Sequence, residues 1–149
     1  MELYNALCVE DNVDYAKKTA GFLKNAGISS LWVSDMETFI TLARGKKAGV
    51  LVLDGAFLPW PGCDALHAMV LGPITLYELR VRYAVKTPAI VHSGDPHIGA
   101  ILGEFPQEKM RPYESIPKAR KGSLDMLAER IKELQDAKEQ KPLLSPPTL

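Results

Sequence analysis

Short, continuously apolar runs alternate along the chain with stretches whose apolar residues recur every three or four positions. The runs are Ala6-Leu7-Cys8-Val9, Leu31-Trp32-Val33, Val50-Leu51-Val52-Leu53 and Ala89-Ile90-Val91-His92, with a weaker one from Tyr113 to Ile116. Each predicts a buried strand. The spacing between them predicts helices. Residues 13 to 26 place Ala16, Ala20 and Leu23 on one face, with Gly27 as a stop. A second helix begins at Ser34, with Glu37 in capping-box position, and runs to about Arg44. Residues 64 to 86 are helical in pattern but interrupted by Gly72-Pro73, which predicts two pieces with Pro73 near the start of the second. A short helix is predicted over residues 96 to 103. A last helix, capped by Ser123, has Leu124, Leu127, Ile131 and Leu134 on its apolar face. Pro59-Trp60-Pro61-Gly62 and the stretch from Phe105 to Pro112 read as loops. Pro142, Pro146 and Pro147 mark residues 138 to 149 as an irregular tail, which leaves one domain over 1 to 137.

Five strands alternating with helices imply an α/β fold, a doubly wound five-stranded parallel sheet. The third strand is apolar throughout, as suits a strand covered on both faces. Such a sheet puts all strand C-terminal ends on one edge, and ligands bind there where the strand order reverses. Polar residues stand at those ends: Glu10 and Asp11 after the first strand, Asp54 after the third, Ser93 after the fourth and Lys118 after the fifth. In the strand order 2-1-3-4-5 the first and third strands are neighbours, so three carboxylates converge. Crowded carboxylates repel unless something neutralises them. A hard divalent cation, Mg²⁺ above all, does so through oxygen ligands. With an ammonium from Lys118 and a hydroxyl from Ser93, the set suits a phosphoryl group carried on one carboxylate.

Composition narrows the partners. Eighteen basic and eighteen acidic residues give a formal net charge of +0. That balance argues against broad nucleic-acid binding and against a general pull to anionic membranes. No apolar run approaches a membrane span, and the N-terminus lacks the pattern of a signal peptide. Cys8 and Cys63 make no disulfide framework. A soluble, cytoplasmic domain is the expectation.

The residues at the strand ends resemble the receiver domain of bacterial two-component response regulators. Val9-Glu10-Asp11-Asn12, Val50-Leu51-Val52-Leu53-Asp54, Ile90-Val91-His92-Ser93-Gly94 and Ile116-Pro117-Lys118 carry the likeness, over roughly residues 4 to 137. The resemblance implies the flavodoxin-like receiver fold and assigns roles. Asp54 is then the phosphoacceptor. Glu10, Asp11, Asp54 and the backbone carbonyl of Ala56 hold Mg²⁺. Ser93 contacts the phosphoryl group, and Lys118 pairs with Asp54 and then with phosphoryl oxygens. The donor is a histidine kinase or phosphotransfer protein. The output, from a stand-alone receiver, is contact with a downstream protein, and a homodimer is among the assemblies left open.

Departures from the family pattern fall on the output face. Ser115 stands where the family usually has an aromatic, with Tyr113 nearby. Pro117 precedes Lys118 and Ala119 follows it, whereas the family places a proline after the lysine. Leu58 stands where Pro59 is expected, and the Asp54–Ser93 stretch is longer than usual. Two other readings stay open. One is a degenerate receiver acting as a phosphorylation-independent binding module. The other is an aspartyl-phosphate phosphohydrolase, opposed by Ala56 where such an enzyme needs a second aspartate as general acid. Taken singly, Asp54 also reads as a solvated strand-end carboxylate, Ser93 as a turn former and Lys118 as part of a basic turn. Trp60 reads as a loop anchor or an exposed contact. Ile74, Leu76, Tyr77 and Val81 read as core or as a second contact surface. His67 and His97 have no metal-ligand spacing with the cysteines.

Overall fold

The computed structural model describes residues 3–64 and 69–144. Five strands form one parallel sheet: β1 (Tyr4–Val9), β2 (Ser30–Val33), β3 (Ala48–Leu53), β6 (Ala89–Val91) and β7 (Tyr113–Ser115), in the order β2-β1-β3-β6-β7. This is the 2-1-3-4-5 order of the five predicted strands. The register pairs Val9 with both Val33 and Leu53, and Leu53 with Val91. The C-terminal ends of the central strands are therefore level with one another.

Alternation along each strand builds two cores. Leu7, Val9, Leu51, Leu53, Ala89 and Val91 face one side. There they meet Phe39 of α2 (Met36–Arg44), Leu76 and Leu79 of α3 (Gly72–Val81), Leu102 of α4 (Ile98–Gly103) and Met110 of α5 (Gln107–Met110). Ala6, Cys8, Val50, Val52 and Ile90 face the other side. They pack on Leu23 of α1 (Val13–Asn25) and on Leu127 and Ile131 of α6 (Ser123–Leu144). Cys8 is a small core residue whose thiol is held protonated by burial. None of the helices among the described residues is long and apolar enough to cross a membrane.

Several local expectations change. The N-cap of α2 is Asp35, not Ser34: its carboxylate accepts the Thr38 N–H at 2.7 Å. The first of the two helical pieces expected in 64–86 largely falls on 65–68, outside the described residues. Its end, Val70–Leu71, is instead a strand, β5, paired antiparallel with β4 (Ala56–Phe57). The second piece is α3, with Pro73 in its first turn. Ile74 and Val81 of α3 are exposed while Leu76 and Leu79 are fully buried, so the helix serves both as core and as surface. Trp60 is exposed. Ser123 does not cap α6; its hydroxyl donates to the Lys118 carbonyl at 3.1 Å and ties that loop to the helix. Helix α6 also continues to Leu144, past the boundary expected at 137.

Candidate functional site

The parallel ladder runs one step beyond the strands and carries the polar residues with it. Glu10 N–H donates to Val33 O (2.9 Å), Asp54 N–H to Val9 O (3.0 Å) and His92 N–H to Leu53 O (2.8 Å). Lys118 N–H donates to Ser93 O at 2.9 Å. Backbone hydrogen bonds thus fix the root of each side chain before any side chain interacts. Strand order reverses between β1 and β3, and Glu10 and Asp54 project into that crevice.

Carboxylate oxygens of Glu10, Asp11 and Asp54 lie within 4.8 Å of one another. The Lys118 ammonium donates to Glu10 Oε1 and, at 3.1 Å, to Asp54 Oδ1. Asp54 Oδ1 also accepts the Gly55 N–H at 2.7 Å. Glu10 is almost fully buried, and its other oxygen accepts the Asn12 N–H at 3.1 Å. Burial pushes the Glu10 carboxyl up to about 7, against the pull of Lys118 and with added repulsion from Asp54. Desolvation alone lowers the Lys118 pKa; the Glu10 and Asp54 carboxylates outweigh it and hold the ammonium above the ordinary lysine value. Three acidic groups facing one cation leave the pocket short of positive charge. Its all-oxygen donor set fits a hard divalent cation.

Two glycines set how closely the surrounding backbone approaches. A Cβ on Gly55 would lie 2.2 Å from Ser93 Oγ, so the hydroxyl sits directly against the chain that follows Asp54. A Cβ on Gly72 would lie 2.2 Å from the Asp54 carbonyl oxygen. The Gly72 N–H donates to Gly55 O at 2.8 Å, which makes Ala56–Leu71 the non-hydrogen-bonded pair of the β4–β5 ladder. Ala56 therefore directs its carbonyl away from β5 and leaves it available as a further oxygen ligand. In Gly72→Ala the clash is with backbone, which cannot swing aside. We expect a stability loss of about 2 kcal/mol in urea denaturation, exceeding the ~1 kcal/mol helix-propensity gain of alanine.

All five side chains singled out at the strand ends are thus placed along one crevice. Ser93 is buried beside it, its Oγ accepting the Asp95 N–H at 3.0 Å. Ser115, at the position of the usual aromatic, is exposed. His92 Nε2 lies 2.6 Å from Tyr15 Oη, and its Nδ1 lies 2.8 Å from Ile116 O. Sequence reading missed Tyr15, whose ring centre is 4.2 Å from the Lys118 ammonium. Its one signal is an aromatic in the first turn of the helix that follows the acidic pair.

No protein-family model matches the chain, and no curated protein does either. Solved structures do match. The receiver domain of the Francisella response regulator 1452 superposes with a TM-score of 0.68 at 22% identity, covering 89% of this chain and 97% of that one. The receiver domain of NtrX from Brucella abortus gives 0.61 at 22% identity, covering 86% and 98%. A response regulator receiver domain from Clostridium thermocellum gives 0.67 at 17% identity, covering 90% and 95%. At these identities the likeness is one of fold.

Proposed function

On the premise of this receiver fold, we propose that the chain accepts a phosphoryl group on Asp54 from the phosphohistidine of a histidine kinase or phosphotransfer protein. The observation that carries the reading is the Lys118 ammonium 3.1 Å from Asp54, inside a pocket otherwise made of carboxylates. Asp54 Oδ1 is held by Lys118 and by the Gly55 N–H, which leaves Oδ2 as the attacking oxygen. A new P–O bond forms as the P–N bond of phosphohistidine breaks. The imidazole leaves with the electron pair and takes up a proton. Lys118 then faces the added negative charge, and the Ser93 hydroxyl, pressed against Gly55, is placed to donate to a phosphoryl oxygen. Glu10, Asp11, Asp54 and the Ala56 carbonyl would hold Mg²⁺, which would supply charge neutralisation on the transferred group. The added charge biases which surface meets a downstream protein.

The test is incubation with Mg²⁺ and acetyl phosphate, followed by intact-mass measurement. One phosphate adduct is expected, absent in Asp54→Asn, together with tight binding of beryllofluoride to the wild type alone. No adduct and no beryllofluoride binding would overturn the reading and leave a phosphorylation-independent binding module.

A further inference from the structure

We propose that Tyr15 is a positioning residue for Lys118, held in place by His92; the proposal rests on Lys118 serving phosphoryl transfer at Asp54. A lysine has four rotatable side-chain bonds, and two carboxylates alone do not fix where its ammonium sits. Tyr15 adds a third contact, its ring centre 4.2 Å from Nζ. The ring is itself anchored twice. Its backbone N–H is taken by the Asn12 Oδ1 cap at 3.0 Å, which sets the first turn of α1. Its hydroxyl meets His92 Nε2 at 2.6 Å. Because His92 Nδ1 faces the Ile116 carbonyl at 2.8 Å, Nδ1 carries the proton, and Nε2 accepts from Tyr15. His92 is buried and adjoins Ser93, so the clamp ties α1 to the strand end that bears the hydroxyl of the site. Tyr15, His92 and Lys118 thus form one chain of contacts from the α1 surface to Asp54.

The experiment is a mutant cycle on the acetyl phosphate reaction with Mg²⁺. Tyr15→Leu removes ring and hydroxyl and is expected to slow adduct formation about tenfold. Tyr15→Phe keeps the ring, loses the His92 bond and falls between. In a Lys118→Ala background Tyr15→Leu should change the rate less than about twofold, because the residue acts through the ammonium. A merely structural tyrosine would slow both backgrounds equally, and that result would overturn the proposal. A second arm does not need phosphorylation. The Lys118 ε-methylene resonances should be shifted upfield by the ring in wild type, in Asp54→Asn and in Tyr15→Phe, and should move to ordinary lysine positions in Tyr15→Leu. If the wild type takes no phosphoryl group, the Asp54 reading fails while this arm still decides the placement of Lys118. An unshifted wild-type signal would overturn it.

Discussion

Arg80→Leu is expected to lower the free energy of unfolding by about 4 kcal/mol. The Arg80 guanidinium is buried on α3 and donates to four backbone carbonyls. They are Met110 O at 2.9 Å, Val85 O at 2.8 Å, Thr87 O at 2.7 Å and Pro112 O at 2.6 Å. Burial lowers its pKa to about 10, so it remains charged at neutral pH. These carbonyls belong to the segments that enter β6 and β7, at the sheet edge opposite the carboxylates. Leucine fills much of the volume but leaves the Met110, Val85 and Thr87 carbonyls without a donor, while Pro112 O keeps the Ala89 N–H at 3.2 Å. An unsatisfied buried carbonyl costs ~1–3 kcal/mol, and partial access of water to this edge keeps the sum over three of them at ~4 rather than ~6 kcal/mol. Removing a buried charge returns some desolvation energy, but not the loss of a donor to three carbonyls at once. Urea denaturation should show the loss directly, and the melting temperature should fall by about 10 °C. Arg80→Lys keeps the charge but has only three donors on one atom, and should recover a minor part. A leucine variant within about 1 kcal/mol of wild type would mean that this edge holds together without the clamp.

Arg80 also shows where the sequence stops being legible. An arginine on a helix reads as a solvated charge, and nothing in its neighbours announces four carbonyls around it. The same holds for β4 and β5, whose two residues each carry no period and whose pairing spans a long loop. Ser34 and Asp35 are both good caps; the choice falls to Asp35 because its neighbourhood is also tied to the hairpin, with a bridge from Asp35 to Leu58 and Met36 N–H donating to Leu58 O. By contrast, Glu10, Asp54, Ser93 and Lys118 were readable. Each ends or follows an apolar strand, and a parallel sheet has only one edge on which such ends can lie. Tyr15 lies between these cases. Its place four residues after Asp11 was visible, but its contact with Lys118 depends on how α1 seats against the strand ends.

Glu10 makes the pocket's charge shortage measurable as a pH dependence. In the folded protein its carboxyl is pushed up to about 7 from an ordinary value of 4.5, chiefly by burial. Between those values the folded chain holds the proton more tightly than the unfolded chain. Stability therefore falls as pH rises through this window, and the full penalty is present above about 7. The gap corresponds to about 3 kcal/mol. His92 works in the opposite sense: burial lowers its pKa, so its contribution is lost as pH falls. That term is common to wild type and Glu10→Gln and cancels in their difference. Urea denaturation in EDTA should therefore show Glu10→Gln gaining on wild type by about 3 kcal/mol between about pH 4.5 and about pH 8. Parallel stability curves would mean that Lys118 fully compensates the buried carboxylate. Adding Mg²⁺ at about pH 8 should then stabilise wild type more than the variant, because the ion meets a carboxylate that is already ionised and short of positive charge.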